Sequence, residues 1–176
     1  VPTGEVPTGE GRPGAVLHVP RRLWREGALD LRGARAHPYD GPLAGEVARV
    51  FRSSRALVFV GAAGIAVRSV APLLRHKSTD PAVVVVDDAG RFAVSLVSGH
   101  LGGANDLARA AAAILGATPV ITTSTDLRGL CALDLWARRR GMAAEPEGGL
   151  AVVSRVMIEG GTVGVFGEPG LDTPTG

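Results

Sequence analysis

Residues 98–105 read SGHLGGAN, which sets one imidazole, His100, in a frame of glycines. An imidazole can take or give a proton near neutral pH, so His100 is a candidate general base or acid. Ser98 and Asn105 add donors suited to an oxyanion or a carboxylate, and Gly99, Gly102 and Gly103 let backbone N–H groups approach a ligand. A lone histidine usually has a structural role, but these glycines offer it little packed surface. Residues 122–126 read TTSTD, with hydroxyls on Thr122, Thr123 and Thr125 beside the carboxylate of Asp126. Capping of the following helix accounts for Thr125 or Asp126, though not for the whole cluster.

Two further segments carry weaker chemistry. Residues 61–68, GAAGIAVR, place Gly61 and Gly64 at a helix start with Arg68 one turn in, a combination suited to an anion. A tight strand-to-helix turn explains the same glycines equally well. Residues 75–81, RHKSTDP, hold Lys77 and Asp80, which could grip substrate or form salt bridges. A solvated connector is the ordinary reading of such a run.

Several sharper motifs are absent. The stretch LVSG lacks the first glycine of a nucleophile elbow. There is no phosphate-binding P-loop and no H-E-x-x-H, and the loop GAAGIA is not a full G-x-G-x-x-G, so a nicotinamide site there is not supported. His18, His37 and His76 show no metal-ligand spacing along the chain, so no protein metal site is expected. The single cysteine, Cys131, excludes an intrachain disulfide and a multi-cysteine zinc site.

The elements that must position these loops follow from hydrophobic patterning. Residues 15–19 read as a strand, 20–33 as a polar helical or irregular stretch, and HPYDG as a turn. Residues 43–51 carry helical spacing. The continuous apolar run 56–60 reads as a strand buried on both faces, and 82–86 and 118–121 read as further buried strands. Residues 92–97 return from the DDAG turn at 87–90 as the second arm of a hairpin. Helices are expected at 65–74, shortened by Pro72, at 106–115, stopped by Gly116, and from the TTSTD cluster to about residue 140. A weak strand-like pattern, AVVSRVMIEGGTVGVF, follows. The expected fold is α/β, a mostly parallel sheet flanked by helices in three layers, with one hairpin. Residues 1–13 and 169–176 read as disordered tails, 14–140 as the core domain and 141–168 as a small linking segment. Ligands of such sheets bind beyond strand ends, so the His100 loop and the hydroxyls after Ile121 are expected to share a pocket at one rim.

Bulk properties narrow the class further. With aromatics at 4%, the core must be Val, Leu, Ala and Ile, and there are few rings for stacking nucleic-acid bases. The net charge of +2 gives no support to a nucleic-acid partner. The longest apolar stretch is broken by glycines and falls short of the roughly 20 residues that span a bilayer. Neither a membrane nor a secretory route is expected, and the cytoplasm is the expected compartment.

The run from GAAGIAVRSVAPLLRHKSTDPAVVVVDD through SLVSGHLGGAND to PVITTSTD resembles the cobalamin biosynthesis protein G family. The likeness extends from about Asp40 to Asp134 and more weakly toward Phe166. It implies a cobalt-precorrin-5A hydrolase, which opens a δ-lactone on a cobalt corrinoid and releases acetaldehyde to give cobalt-precorrin-5B. The substrate would bring its own cobalt, so no cofactor is implied. Its peripheral acetates and propionates would suit arginines and helix N-termini. Family members start with an apolar strand and helix where VPTGEVPTGEGRPG stands here, and they carry a C-terminal domain. The chain thus resembles an N-terminal domain with part of a linking region, and a separate C-terminal domain or other pathway enzymes are its implied partners.

From residue chemistry, His100 is expected to serve as base, or to orient water with Asp126. Thr122, Thr123 and the N–H groups of Gly102 and Gly103 would hold the oxyanion, and Arg68 and Lys77 would grip carboxylates. Two alternatives stay open: a corrinoid-binding module whose partner domain supplies catalysis, and an unrelated enzyme of phosphate ligands using the same loops.

Overall fold

A computed structural model of the chain describes residues 14–25, 34–143, 145–146, 148–164 and 166–167. The tails expected at 1–13 and 169–176 lie outside the described residues. The chain forms two compact units, residues 1–46 and 47–176.

In the first unit, β1 (Val16–Pro20) and β2 (Arg35–Tyr39) pair in parallel, from Val16 opposite Arg35 to Pro20 opposite Tyr39. The turn expected at HPYDG is therefore corrected: His37, Pro38 and Tyr39 are strand, and the chain turns only at Gly41, with φ 89°. A two-stranded ribbon leaves one side of each strand without a ladder, so the missing N–H of Pro38 is tolerated. The unit boundary falls inside α1 (Leu43–Val50).

The second unit is built on a four-stranded sheet in the order β3 (Ala56–Val60), β4 (Ala82–Val86), β5 (Phe92–Val97), β6 (Thr118–Val120). The class is α/β, with β3 parallel to β4 and β5 parallel to β6. Between them β4 and β5 form the antiparallel hairpin. Asp87 closes its turn by accepting from the N–H groups of Arg91 (2.7 Å) and Phe92 (2.6 Å). The return of Phe92 into strand follows from that grip.

The core lies on β4, whose five residues are all buried. Helix α3 (Ala104–Leu115) presents Ala104, Ala108 and Ala112 to Ala82, Val84, Val86 and Ala93. Small side chains on one helical face bring the helix close to the sheet, the dense packing expected of a core poor in rings. Helix α2 (Ala63–Val70) joins β3 to β4 and ends in a 3-10 turn, Ala71–Leu73, where Pro72 breaks the α ladder. Gly116, at φ 67°, stops α3.

Three expectations need correction. The runs at β3 and β6 are not buried on both faces: each is an edge of this sheet, and Val60 is 76% exposed. An apolar run marks a strand but does not tell a central strand from an edge. The single helix expected after TTSTD is two, α4 (Ser124–Leu127) and α5 (Leu133–Arg139), parted at Gly129, with φ 64°. The strand-like tail is instead helix α6 (Gly149–Ile158). Its half-buried residues Leu150, Val153 and Met157 recur at helical spacing, a period that the β-branched pair Val152–Val153 obscures.

Candidate functional site

The hairpin decides which loops can meet. Because β5 runs opposite to β4, the ends of β5 and β6 lie at the rim where β4 begins, while β3 ends at the other rim. Residues 98–105 after β5, 122–126 after β6 and 75–81 before β4 are thereby gathered. The loop after β3 is not. Gly61 and Gly64, which follow β3, and Arg68, one turn into α2, expected to bind an anion, therefore start from the rim opposite His100. Loops after parallel strands would have shared one rim, and the antiparallel step separates them.

At the shared rim, Asp126 is the hub. His100 donates from Nε2 to Asp126 Oδ2 (2.7 Å), and the Asn105 amide donates to the same oxygen (3.0 Å). The Thr123 hydroxyl also donates to it (2.5 Å), while Arg109 binds Oδ1. Burial pushes the Asp126 carboxyl up, but the hydrogen bonds from Thr123, His100 and Arg109 outweigh it and hold the group down at about 2. Asp126 is therefore ionised at neutral pH and unsuited to be the base. Arg109 is correspondingly raised above its ordinary value by its hydrogen bond to Asp126.

An ionised partner at Nε2 selects the imidazole tautomer. With Nε2–H pointing at Asp126, the neutral ring carries its lone pair on Nδ1, which lies 4.0 Å from Asp134 Oδ1. Thr125 Oγ1 lies 3.1 Å from His100 Nε2. An imidazole oriented by a carboxylate, with the other nitrogen available, is the arrangement of an acid–base pair. His100 borders a cleft of about 360 Å³ whose lining includes Lys77, Thr123, Thr125, Asp134 and Arg155.

Other candidate residues have structural work. Asn105 is buried, and its Oδ1 accepts from Ser95 (2.7 Å) while its amide reaches Thr123 (3.0 Å) and Asp126. It ties β5, α3 and the loop after β6 together and has no donor left for a substrate. Gly99 and Gly102 are required by close approach. A Cβ on Gly102 would lie 2.3 Å from Ser98 Cβ, and one on Gly99 would lie 2.7 Å from Asn105 Oδ1. The Gly103 N–H already donates to the His100 carbonyl (3.0 Å), and Thr123 is committed to Asp126. Neither is free to hold an oxyanion in this conformation. Thr122 is exposed and does not border the cleft among the described residues. Asp80 is nearly buried and accepts from the Arg75 N–H (2.8 Å), clasping the loop that carries Lys77. Ser98 adopts φ 59°, rare outside glycine, and its buried Oγ finds no partner among the described residues.

Sequence reasoning missed Ser95, Arg109, Asp134 and Arg155. A signal existed for Arg109, which follows Asn105 by four residues and so shares its helical face. Asp134 lay within the helix expected to about residue 140 with nothing beside it to mark a site, and Arg155 carried no signal because α6 was read as strand-like. Of the histidines without ligand spacing, His18 and His37 meet Glu46 in the first unit.

Residues 46–126 match the family model described as Cobalamin synthesis G N-terminal. A cobalt-precorrin-5A hydrolase of Salmonella typhimurium is 41% identical over 140 residues, covering 79% of this chain and 40% of that protein. One from Priestia megaterium is 41% identical over 121 residues, covering 69% and 32%. A solved cobalamin biosynthesis protein G homologue from Sulfolobus solfataricus is 29% identical with a TM-score of 0.44, covering 70% of this chain and 37% of its own. The chain thus spans well under half the length of each.

Proposed function

We propose that the chain, whose residues 46–126 match the cobalamin synthesis G N-terminal family model, takes part in hydrolysis of cobalt-precorrin-5A. The observation that carries the reading is the His100–Asp126 pair facing a cleft flanked by the cations Lys77 and Arg155. His100 Nδ1 takes a proton from water, whose oxygen adds to the lactone carbonyl. The acyl C–O bond then breaks, giving an alkoxide and a carboxylic acid, which passes its proton to solvent. The alkoxide collapses to acetaldehyde as its bond to the ring carbon breaks, leaving that electron pair on the macrocycle. Asp126 holds the ring of His100 and balances the imidazolium, and Lys77 and Arg155 meet peripheral carboxylates. The cobalt arrives within the substrate, no other cofactor is invoked, and the setting is the cytoplasm.

The test is acetaldehyde release from cobalt-precorrin-5A by the His100→Ala variant. Loss of a general base is expected to lower turnover by about 10²–10⁴-fold. Undiminished release would remove His100 from the mechanism.

A second reading is favoured by the committed donors: with Thr123 and Gly103 engaged, a further domain would contribute to holding the oxyanion. The chain would then bind the corrinoid while a C-terminal domain or another pathway enzyme completes the site. Tight corrinoid binding without turnover, with turnover appearing on addition of that domain, supports this version.

A further inference from the structure

The first unit holds a cluster that the hydrolysis does not use. His18 and His37 are direct partners in the parallel register of β1 and β2, so their side chains leave the same face of the ribbon, with ring centroids 5.1 Å apart. Glu46, in the first turn of α1, reaches both: its Oε1 lies 2.5 Å from His18 Nδ1 and 3.5 Å from His37 Nε2. One donor atom from each residue falls within a mutual separation of 4.8 Å.

We propose that His18 Nδ1, His37 Nε2 and a Glu46 carboxylate oxygen bind a divalent first-row transition ion, Zn²⁺ in the first instance. Ligands about 2.0–2.2 Å from a tetrahedral zinc stand roughly 3.3 Å from one another, inside the range these atoms span. Two imidazoles and a carboxylate form a set that zinc accepts and that Mg²⁺ and Ca²⁺, which prefer all-oxygen shells, do not. His37 is 48% exposed on its side chain, so the remaining coordination position faces solvent and is open to water or a ligand carboxylate. The set is invisible along the chain because cross-strand register, and no helical or loop spacing, brings its members together.

The untagged chain, freed of metal by chelator, is dialysed against Zn²⁺ and assayed by elemental analysis, and Co²⁺ is added separately to record its ligand-field absorption. One Zn²⁺ per chain is expected, with a rise in Tm, an intense tetrahedral Co²⁺ spectrum, and affinity reduced more than about 100-fold in His18→Ala and in His37→Ala. His76→Ala and Cys131→Ser are expected to bind as the parent does. His37 is half exposed, so its variant decides the matter should His18→Ala fail to fold, with circular dichroism checking both. Absence of stoichiometric zinc, or zinc retained by a folded His37→Ala, overturns the proposal.

Discussion

Asp126 accepts from four side chains, His100, Asn105, Thr123 and Arg109, and this convergence has a thermodynamic consequence. Its carboxyl is lowered from 3.8 to about 2 in the folded chain, although its side chain keeps 21% of its exposure. That difference corresponds to about 2 kcal/mol of folding stability, an order-of-magnitude figure. Because the folded-state value is the lower one, the contribution is complete above the unfolded value and is lost as pH falls from near 4 through 2. Asp126→Asn cannot satisfy four donors and leaves Arg109 without its ion pair. It is expected to destabilise the chain by about 1–3 kcal/mol at pH 7, with the gap to the parent closing toward pH 2. Urea unfolding at several pH values measures this, and a gap independent of pH would show that the charge of Asp126 is not what holds the site.

Among elements, the loop between β5 and α3 shows what the sequence could and could not disclose. Its glycines were legible as departures from ordinary packing, and the strands, the hairpin and α3 followed from apolar runs and turn residues. The reason for the glycines was not legible. Gly99 and Gly102 admit close approach of Asn105 and Ser98, while Gly64, inside α2, has open space around it. The antiparallel step that sends Arg68 to the opposite rim follows from the hairpin, yet loop chemistry read one segment at a time could not reveal it. Opposite outcomes are therefore expected at two glycines. Gly102→Ala forces Ser98 to move and should destabilise by about 1–3 kcal/mol while disturbing His100. Gly64→Ala should stabilise by about 0.4–1 kcal/mol with activity intact. Thermal melts with acetaldehyde assays decide it; inactivity of Gly64→Ala with a normal melt would restore the loop after β3 to the site.

For the whole molecule, a net charge of +2 on 176 residues gives little long-range pull on a polyanionic corrinoid. Arginine supplies nearly all the positive charge, and many of these groups are paired on the surface, as Arg91 with Asp87 and Arg155 with Glu159. Attraction must then be local, set by which cations border the cleft. Lys77, the only lysine in the sequence, is exposed there on a loop pinned by Asp80. A flexible ammonium at the mouth of a cleft acts on a peripheral carboxylate equally in the ground and transition states, which changes KM and leaves kcat alone. Lys77→Ala is accordingly expected to raise KM for cobalt-precorrin-5A by about three- to tenfold, and the difference from the parent should shrink in high salt as screening removes the parent's advantage. If kcat falls instead while KM holds, Lys77 acts on charge that develops during lactone opening, and the donor that Thr123 and Gly103 do not supply is found.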